Sequence, residues 1–87
     1  LTVDAPNVII ESVKRAEQGN AYVVRLYEAG KTGGRAKVSF GVDVASVKEA
    51  NLLEEDARPM KLAGNAVRFT IKPFEIKTLL VETTRPG

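Results

Sequence analysis

One stretch near the end of the chain decides its fold: Val67-Arg68-Phe69-Thr70-Ile71-Lys72-Pro73-Phe74-Glu75-Ile76-Lys77-Thr78-Leu79-Leu80-Val81-Glu82. In its first half the apolar residues Val67, Phe69 and Ile71 alternate with polar ones, which is the pattern of a strand with one buried face. Pro73 has no N–H to donate to a strand ladder, so it marks a break between strands or lies at an edge. The stretch therefore predicts two β-strands that meet at Pro73.

The second of these strands breaks the alternation. Leu79 and Val81 alternate with Leu80, which is equally apolar, so apolar residues lie on both faces. Either both faces are covered, or a β-bulge near Lys77-Thr78 resets the phase. Because a two-layer sandwich has only one inside, we expect one apolar strip to be solvent-exposed or buried in a contact with another molecule. The candidates for this strip are Leu53, Phe74, Leu79 and Val81.

The rest of the chain also reads as short strands. Predicted strands cover Asn7 to Ala16, Ala21 to Glu28, Ala36 to Phe40 and, after a short connection, about Val47 to Glu54. Gly64-Asn65 predicts a tight hairpin turn, because glycine accepts a positive φ, and the loop Gly30-Lys31-Thr32-Gly33-Gly34 is expected to form another hairpin. About seven short strands at spacings of roughly 8–12 residues predict an all-β, antiparallel, two-sheet sandwich of the immunoglobulin-like kind.

Composition excludes several functions. The 87 residues suffice for one domain, and the net charge of +2, from 13 basic and 11 acidic residues, does not favour nucleic acid or an anionic membrane as a partner. No window approaches the roughly 20 apolar residues of a membrane span. The chain has no cysteine and no histidine, so it lacks disulfides, thiolate metal ligands and the commonest general base. Absence of cysteine suits a reducing compartment, and we expect a cytoplasmic location.

Each candidate for chemistry has a simpler structural explanation. Glu54-Glu55-Asp56 is the densest acidic cluster, but consecutive strand residues cannot all face one ion, so we expect a solvated turn or a surface that faces another domain. Gly30-Lys31-Thr32 resembles the end of a phosphate-binding loop only superficially, because Arg25 occupies the position of the required first glycine and a strand follows instead of a helix. We therefore interpret both features as structural elements rather than as binding or catalytic sites.

Three further sets of residues are of types that bind ligands or take part in catalysis. Lys31, Arg35 and Lys37 form a small basic patch without interleaved aromatic residues, so a solvated loop is expected there. Tyr27, next to Arg25 on an expected outer face, is a single exposed aromatic and a poor platform for a sugar. The hydroxyl residues Ser39, Thr70 and Thr78 have no histidine to activate them. We assign no catalytic, cofactor-binding or metal-binding residue in this chain.

The order and spacing of several runs resemble the C-terminal β-sandwich domain of glycoside hydrolase family 38, the α-mannosidases. These runs are Asp4 to Glu11, Val13-Lys14, Val24 to Ala29, Asn51 to Glu55 and the two strands that meet at Pro73. The resemblance implies a parent enzyme that hydrolyses terminal α-mannosidic bonds with retention of configuration. It also implies a zinc ion, held by histidine and aspartate in an N-terminal α/β barrel. No residue of this chain matches that catalytic motif.

The expected function is therefore a non-catalytic accessory domain, with residues 1–87 excised from a larger multidomain α-mannosidase. Its expected partners are the other domains of the parent enzyme, without nucleic acid, membrane or direct glycan contact. The chain begins at Leu1 without a signal-peptide pattern, which fits a piece of a longer polypeptide. The alternative is a free-standing immunoglobulin- or fibronectin-like sandwich that binds a glycan or a protein. A small enzyme is disfavoured by the missing histidine and cysteine.

Overall fold

The computed structural model describes residues 1–15, 21–51 and 57–84. Within these ranges the chain forms β-strands and no helix. The strands are β1 (Thr2–Val3), β2 (Val8–Arg15), β3 (Ala21–Glu28), β4 (Gly34–Ser39), β5 (Val44–Ala50), β6 (Arg58–Pro59), β7 (Leu62–Ala63), β8 (Ala66–Ile71) and β9 (Ile76–Thr83). The sequence predicts about seven strands. Of the nine strands in the described residues, six have six to eight residues and three have two.

The strands form two antiparallel sheets, and this confirms the all-β, two-sheet sandwich. The four-stranded sheet has the order β1-β4-β8-β7, and the five-stranded sheet has the order β2-β3-β9-β5-β6. Every pairing between the described strands is antiparallel. The core between the sheets is built mainly from small branched side chains. Its buried members are Val8, Val24, Leu26, Ala36, Val38, Val44, Val47, Val67, Ile71, Leu79 and Val81.

The break predicted at Pro73 is confirmed, and it is the point where the chain changes sheets. β8 ends at Ile71 in the four-stranded sheet, and β9 begins at Ile76 in the centre of the five-stranded sheet. Between them the Glu75 N–H donates to the Lys72 carbonyl at 3.0 Å, which closes a β-turn with Pro73 at its second position. The alternation of Val67, Phe69 and Ile71 toward the core is confirmed as well.

No bulge interrupts β9, and its residues from Thr78 to Val81 are buried or half-buried on both faces, whereas Ile76 at its start is exposed. The β3–β9 register runs without a shift from Tyr27↔Ile76 to Ala21↔Glu82. Leu79 and Val81 face the core and are 0% and 3% exposed, while Thr78 on the opposite face is 1% exposed. The expectation of an exposed strip is therefore wrong for Leu79 and Val81, which complete the inner layer. It holds for Phe74, which is 55% exposed, whereas Leu53 lies outside the described residues.

Two other expectations need correction and one is confirmed. β5 begins at Val44 rather than near Val47, because Val44 already pairs with Thr83 of β9 across a register shift. The loop after β3 is not a hairpin: β3 and β4 lie in different sheets, so the loop crosses the sandwich. Gly64 and Asn65 do form a two-residue hairpin turn between β7 and β8, with Ala63 paired to Ala66 and a φ of 62° at Gly64. Glycine at this first central position is typical of a type II′ turn.

Candidate functional site

A dense polar group in the described part of the chain surrounds the carboxylate of Glu28, at the end of β3. This side chain is fully buried. Its oxygens accept hydrogen bonds from one side chain and from backbone N–H groups of two loops. The donors are Asn7 Nδ2 at 2.6 Å, Gly30 N at 3.2 Å, Lys31 N at 3.0 Å, Gly33 N at 3.1 Å and Phe74 N at 3.0 Å. We call Glu28 and these donors the Glu28 cluster.

The Glu28 cluster stabilises the ionised form of the carboxyl group. Burial by itself would raise the pKa of Glu28, because it removes the charge from water. Hydrogen bonds from the N–H of Phe74, the Asn7 amide and the N–H groups of Gly33 and Lys31 outweigh burial and lower the pKa from 4.5 to about 2. A carboxylate with such a low pKa is a poor general acid or base near neutral pH. The cluster is therefore a structural junction between the two sheets.

The loop of the Glu28 cluster needs glycine at position 33. The φ of Gly33 is +63°, and a Cβ there would lie 2.7 Å from the Ile71 carbonyl oxygen and 3.0 Å from Pro73 Cδ. The Gly33 carbonyl also accepts a hydrogen bond from Asn7 Nδ2 at 3.2 Å. The glycine-rich loop is thus explained by packing: without a Cβ at position 33, the loop backbone can lie close to the β8–β9 turn. The loop binds its own internal carboxylate.

A second polar group closes one end of the core around Lys77. Its side chain is 8% exposed, and its Nζ lies 2.9 Å from Glu49 Oε2 and 3.5 Å from Glu75 Oε2. The ammonium also lies 5.7 Å from the centroid of the Phe69 ring in the opposite sheet. Both carboxylates are paired with one lysine. They are therefore not arranged as an acid and a base on opposite sides of a cleft. This arrangement compensates a buried charge.

An exposed apolar row crosses the outer face of the five-stranded sheet. Ile9 of β2 pairs with Tyr27 of β3, and Tyr27 pairs with Ile76 of β9. Ile9 is 51% exposed and Ile76 is 44% exposed, while Tyr27 is half-buried between them. We call Ile9, Tyr27 and Ile76 the apolar row. Neighbouring apolar side chains in three adjacent strands form a contiguous surface rather than isolated exposed residues.

Phe74 lies two residues before the apolar row and has an unusual backbone conformation. Its φ is 61°, at the third position of the β-turn Lys72–Glu75, where a type II turn normally has glycine or asparagine. Its N–H donates to Glu28 Oε1, and this bond helps to hold the turn. The ring remains 55% exposed. Phe74 is therefore a large, solvent-exposed aromatic residue at a backbone position that favours glycine.

The basic, aromatic and acidic candidates from the sequence lie in three different settings. Arg35 and Lys37 are brought together on the outer face of the four-stranded sheet, whereas Lys31 belongs to the Glu28 cluster. Tyr27 and Arg25 share the outer face of the five-stranded sheet, but Tyr27 is one member of the apolar row and not an isolated platform. The acidic run at positions 54–56 lies outside the described residues.

Several features were not found from the sequence. Glu28 gave no signal because its partners Asn7 and Phe74 are 21 and 46 residues away. The glycines after Glu28 supplied the available hint, since a glycine-rich loop can turn several N–H groups toward one anion. The apolar row required the register of three strands. Among residues 1–15, 21–51 and 57–84, no three acidic, cysteine or histidine side chains gather as a metal site.

Nor does any helix in the described part of the chain have the length and apolar character to cross a membrane.

Comparison with known proteins identifies the family. The chain is 36% identical to alpha-mannosidase G of Dictyostelium discoideum over 82% of its own length and 7% of that protein. It is 31% and 29% identical to the human and mouse alpha-mannosidase 2C1, in each case over 98% of the chain and 9% of the relative. The chain thus spans less than a tenth of the length of these curated relatives, and no solved structure gives a significant match. Residues 7–79 match the family model described as the glycosyl hydrolases family 38 C-terminal beta sandwich domain. The chain belongs to this family of domains.

Proposed function

We propose that this chain is a non-catalytic accessory domain of an α-mannosidase. In this proposal residues 1–87 form one domain of a longer enzyme, and the outer face of the five-stranded sheet docks on a neighbouring domain of the same polypeptide. The relatives named above are alpha-mannosidases of which the chain covers 7–9%. The activity of a parent enzyme on α-mannosidic bonds is inferred from those names. A cysteine-free sandwich suits a parent that works in the cytoplasm.

The apolar row is the observation that carries the docking proposal. Ile9 and Ile76 remain about half-exposed although each has an apolar cross-strand neighbour. Burying exposed apolar area contributes roughly 25 cal/mol per Å², so a contact with another domain would turn this surface into a stabilising one. Phe74 extends the same end of the sheet with an aromatic side chain, the type that dominates the energetics of interfaces.

Chemistry is assigned to other parts of the parent enzyme. Among the described residues, the carboxylate of Glu28 and those of Glu49 and Glu75 on Lys77 are occupied by internal hydrogen bonds and ion pairs. The zinc ion implied for the parent has no matching set of ligands in the described residues, since these gather no three suitable side chains and the sequence has no histidine. In this proposal the metal site and the catalytic residues belong to other domains of the parent enzyme.

The decisive experiment combines a surface variant with the longer enzyme. Ile9→Ser and Ile76→Ser together should leave the melting temperature of the isolated chain nearly unchanged, since both side chains are already half-exposed. In the longer enzyme the same pair should lower the melting temperature and expose this domain to limited proteolysis. Val42→Ser is the matched control, because Val42 is 57% exposed away from the apolar row. Equal behaviour of the two variants in the enzyme would refute docking through this face.

The non-catalytic assignment has its own test. The isolated chain should not hydrolyse an aryl α-mannoside, and turnover by the purified chain would overturn the assignment. The alternative, a free-standing glycan-binding sandwich, predicts heat of binding when mannose is titrated into the chain, with loss of that heat in Tyr27→Ala. We expect no such heat, because the Tyr27 ring is half-buried in the apolar row and is flanked by aliphatic rather than aromatic side chains.

A further inference from the structure

The outer face of the four-stranded sheet carries a concentration of positive charge. Arg35 and Lys37 project from β4, and Arg68 projects from β8 directly opposite Lys37. These outward positions alternate with Ala36, Val38 and Val67, which are buried in the core. We call Arg35, Lys37 and Arg68 the cationic face. It forms one wall of an open cavity of about 430 Å³, whose lining also includes Asp4 and Thr70.

The cationic face is not neutralised within the described part of the domain. No carboxylate there forms an ion pair with Arg35, Lys37 or Arg68. Asp4 is the acidic residue of the cavity lining, and its Oδ1 already accepts the backbone N–H of Lys37 at 2.7 Å. Lys37 and Arg68 are also a directly opposed pair of like charges, which destabilises an antiparallel sheet. An anion bound across Lys37 and Arg68 would relieve this repulsion.

The spacing of the charges distinguishes among anions. Arg35 and Lys37 are two residues apart in one strand, so their side chains leave the same face about 7 Å apart. Acidic side chains at alternate positions of an extended peptide have this same repeat. A phosphate site would instead gather backbone N–H groups around one point, and the N–H of Lys37 is already used by Asp4. Thr70, opposite Arg35, adds a hydroxyl group that can donate to a carboxylate.

We infer that the cationic face binds an extended acidic peptide segment that carries aspartate or glutamate at alternate positions. The segment lies along β4 and β8 in the open cavity, and its carboxylates pair with Arg35, Lys37 and Arg68. This surface lies on the opposite side of the sandwich from the apolar row, so it is a second interaction surface. The inference stands independently of whether the apolar row docks on a neighbouring domain.

Fluorescence anisotropy tests the inference with the 87-residue chain and three labelled peptides. One peptide has three glutamates at alternate positions separated by serine, the second has the same composition with the glutamates consecutive, and the third has glutamine in place of glutamate. We expect the alternating peptide to bind at least tenfold more tightly than the glutamine peptide and more tightly than the consecutive one. Added salt should weaken the binding, because the face is solvent-exposed.

Two double variants distinguish binding at the cationic face from a general effect of net charge. Arg35→Gln with Arg68→Gln should weaken binding of the alternating peptide at least tenfold. Lys14→Gln with Lys48→Gln is the control, because it removes the same charge from exposed positions of the five-stranded sheet. The control should change binding less than twofold. The melting temperature of the Arg35→Gln with Arg68→Gln variant should not fall, since the change at Arg68 relieves the repulsion with Lys37. An unchanged melting temperature of this double variant shows that its lost binding does not come from unfolding.

Several outcomes would overturn the inference. Absence of binding by the alternating peptide would do so, as would equal losses in the two double variants or equal affinity for the alternating and consecutive peptides. A heparin or RNA oligomer that binds the chain while the peptide does not would identify a polyanion surface instead. Displacement by inorganic phosphate, at an ionic strength matched with sodium chloride, would indicate a single-anion site at Lys37 and Arg68.

Discussion

Alanine at position 33 should destabilise the chain much more than alanine at position 64, although both glycines have nearly the same backbone conformation. Their φ values are +63° and +62°. An L-residue in this region costs about 1–2 kcal/mol, and both variants share this cost. A Cβ at Gly64 would meet no heavy atom within 4 Å, whereas one at Gly33 would lie 2.7 Å from the Ile71 carbonyl oxygen. Forcing atoms into a packed site adds about 1–3 kcal/mol.

The expected loss in free energy of unfolding is thus about 1–2 kcal/mol for Gly64→Ala and about 2–5 kcal/mol for Gly33→Ala. Urea denaturation followed by circular dichroism measures both values. The difference should also appear as a melting temperature lower by about 4–8 °C for each additional kcal/mol. Equal losses in the two variants would refute the reasoning, because they would mean that the close approach between the β3–β4 loop and the β8–β9 turn does not constrain position 33.

Three further predictions concern single side chains. Because the pKa of Glu28 is lowered to about 2 in the folded chain, its contribution to stability is present above pH 4.5 and is lost as the pH falls toward 2. Glu28→Gln should therefore flatten thermal stability between these pH values, and parallel profiles for variant and wild type would contradict this. Thr78→Val should stabilise the chain by about 1 kcal/mol, because the buried Thr78 Oγ1 has no hydrogen-bond partner among the described residues; a lower urea midpoint would count against it. Phe74→Gly should raise or preserve the melting temperature of the isolated chain, since it removes a positive-φ strain of about 1–2 kcal/mol and a ring that is 55% exposed; a clear decrease would show that the ring packs on this domain.

Local chemistry allowed the sequence to predict much of the fold. Pro73 cannot donate in a ladder and Gly64 accepts a positive φ, so the break and the hairpin followed from single residues. Alternation located the inner faces of β4 and β8. β5 begins earlier than the sequence predicts, because its start is specified by pairing with β9 and not by a local pattern.

Features that depend on long-range register could not be predicted in this way. Arg68 stands opposite Lys37 only because β4 and β8 pair in one particular register. The apolar row likewise needs β2, β3 and β9 to be aligned. The glycines after β3 likewise predict a hairpin, because they indicate a turn but not which sheet the next strand joins. Sheet assignment depends on the whole set of strands.

The Glu28 cluster has a consequence for how the chain reaches its native state during synthesis. Its carboxylate takes donors from Asn7, 21 residues earlier, and from Phe74, 46 residues later. The ribosome synthesises the chain from its amino terminus. The Glu28 carboxylate therefore lacks one of its hydrogen-bond donors until Phe74 has left the ribosome. The buried anion then acquires its last backbone donor together with β9, the strand at the centre of the larger sheet. Such late closure of distant contacts favours slow, all-or-none folding over stepwise assembly of hairpins.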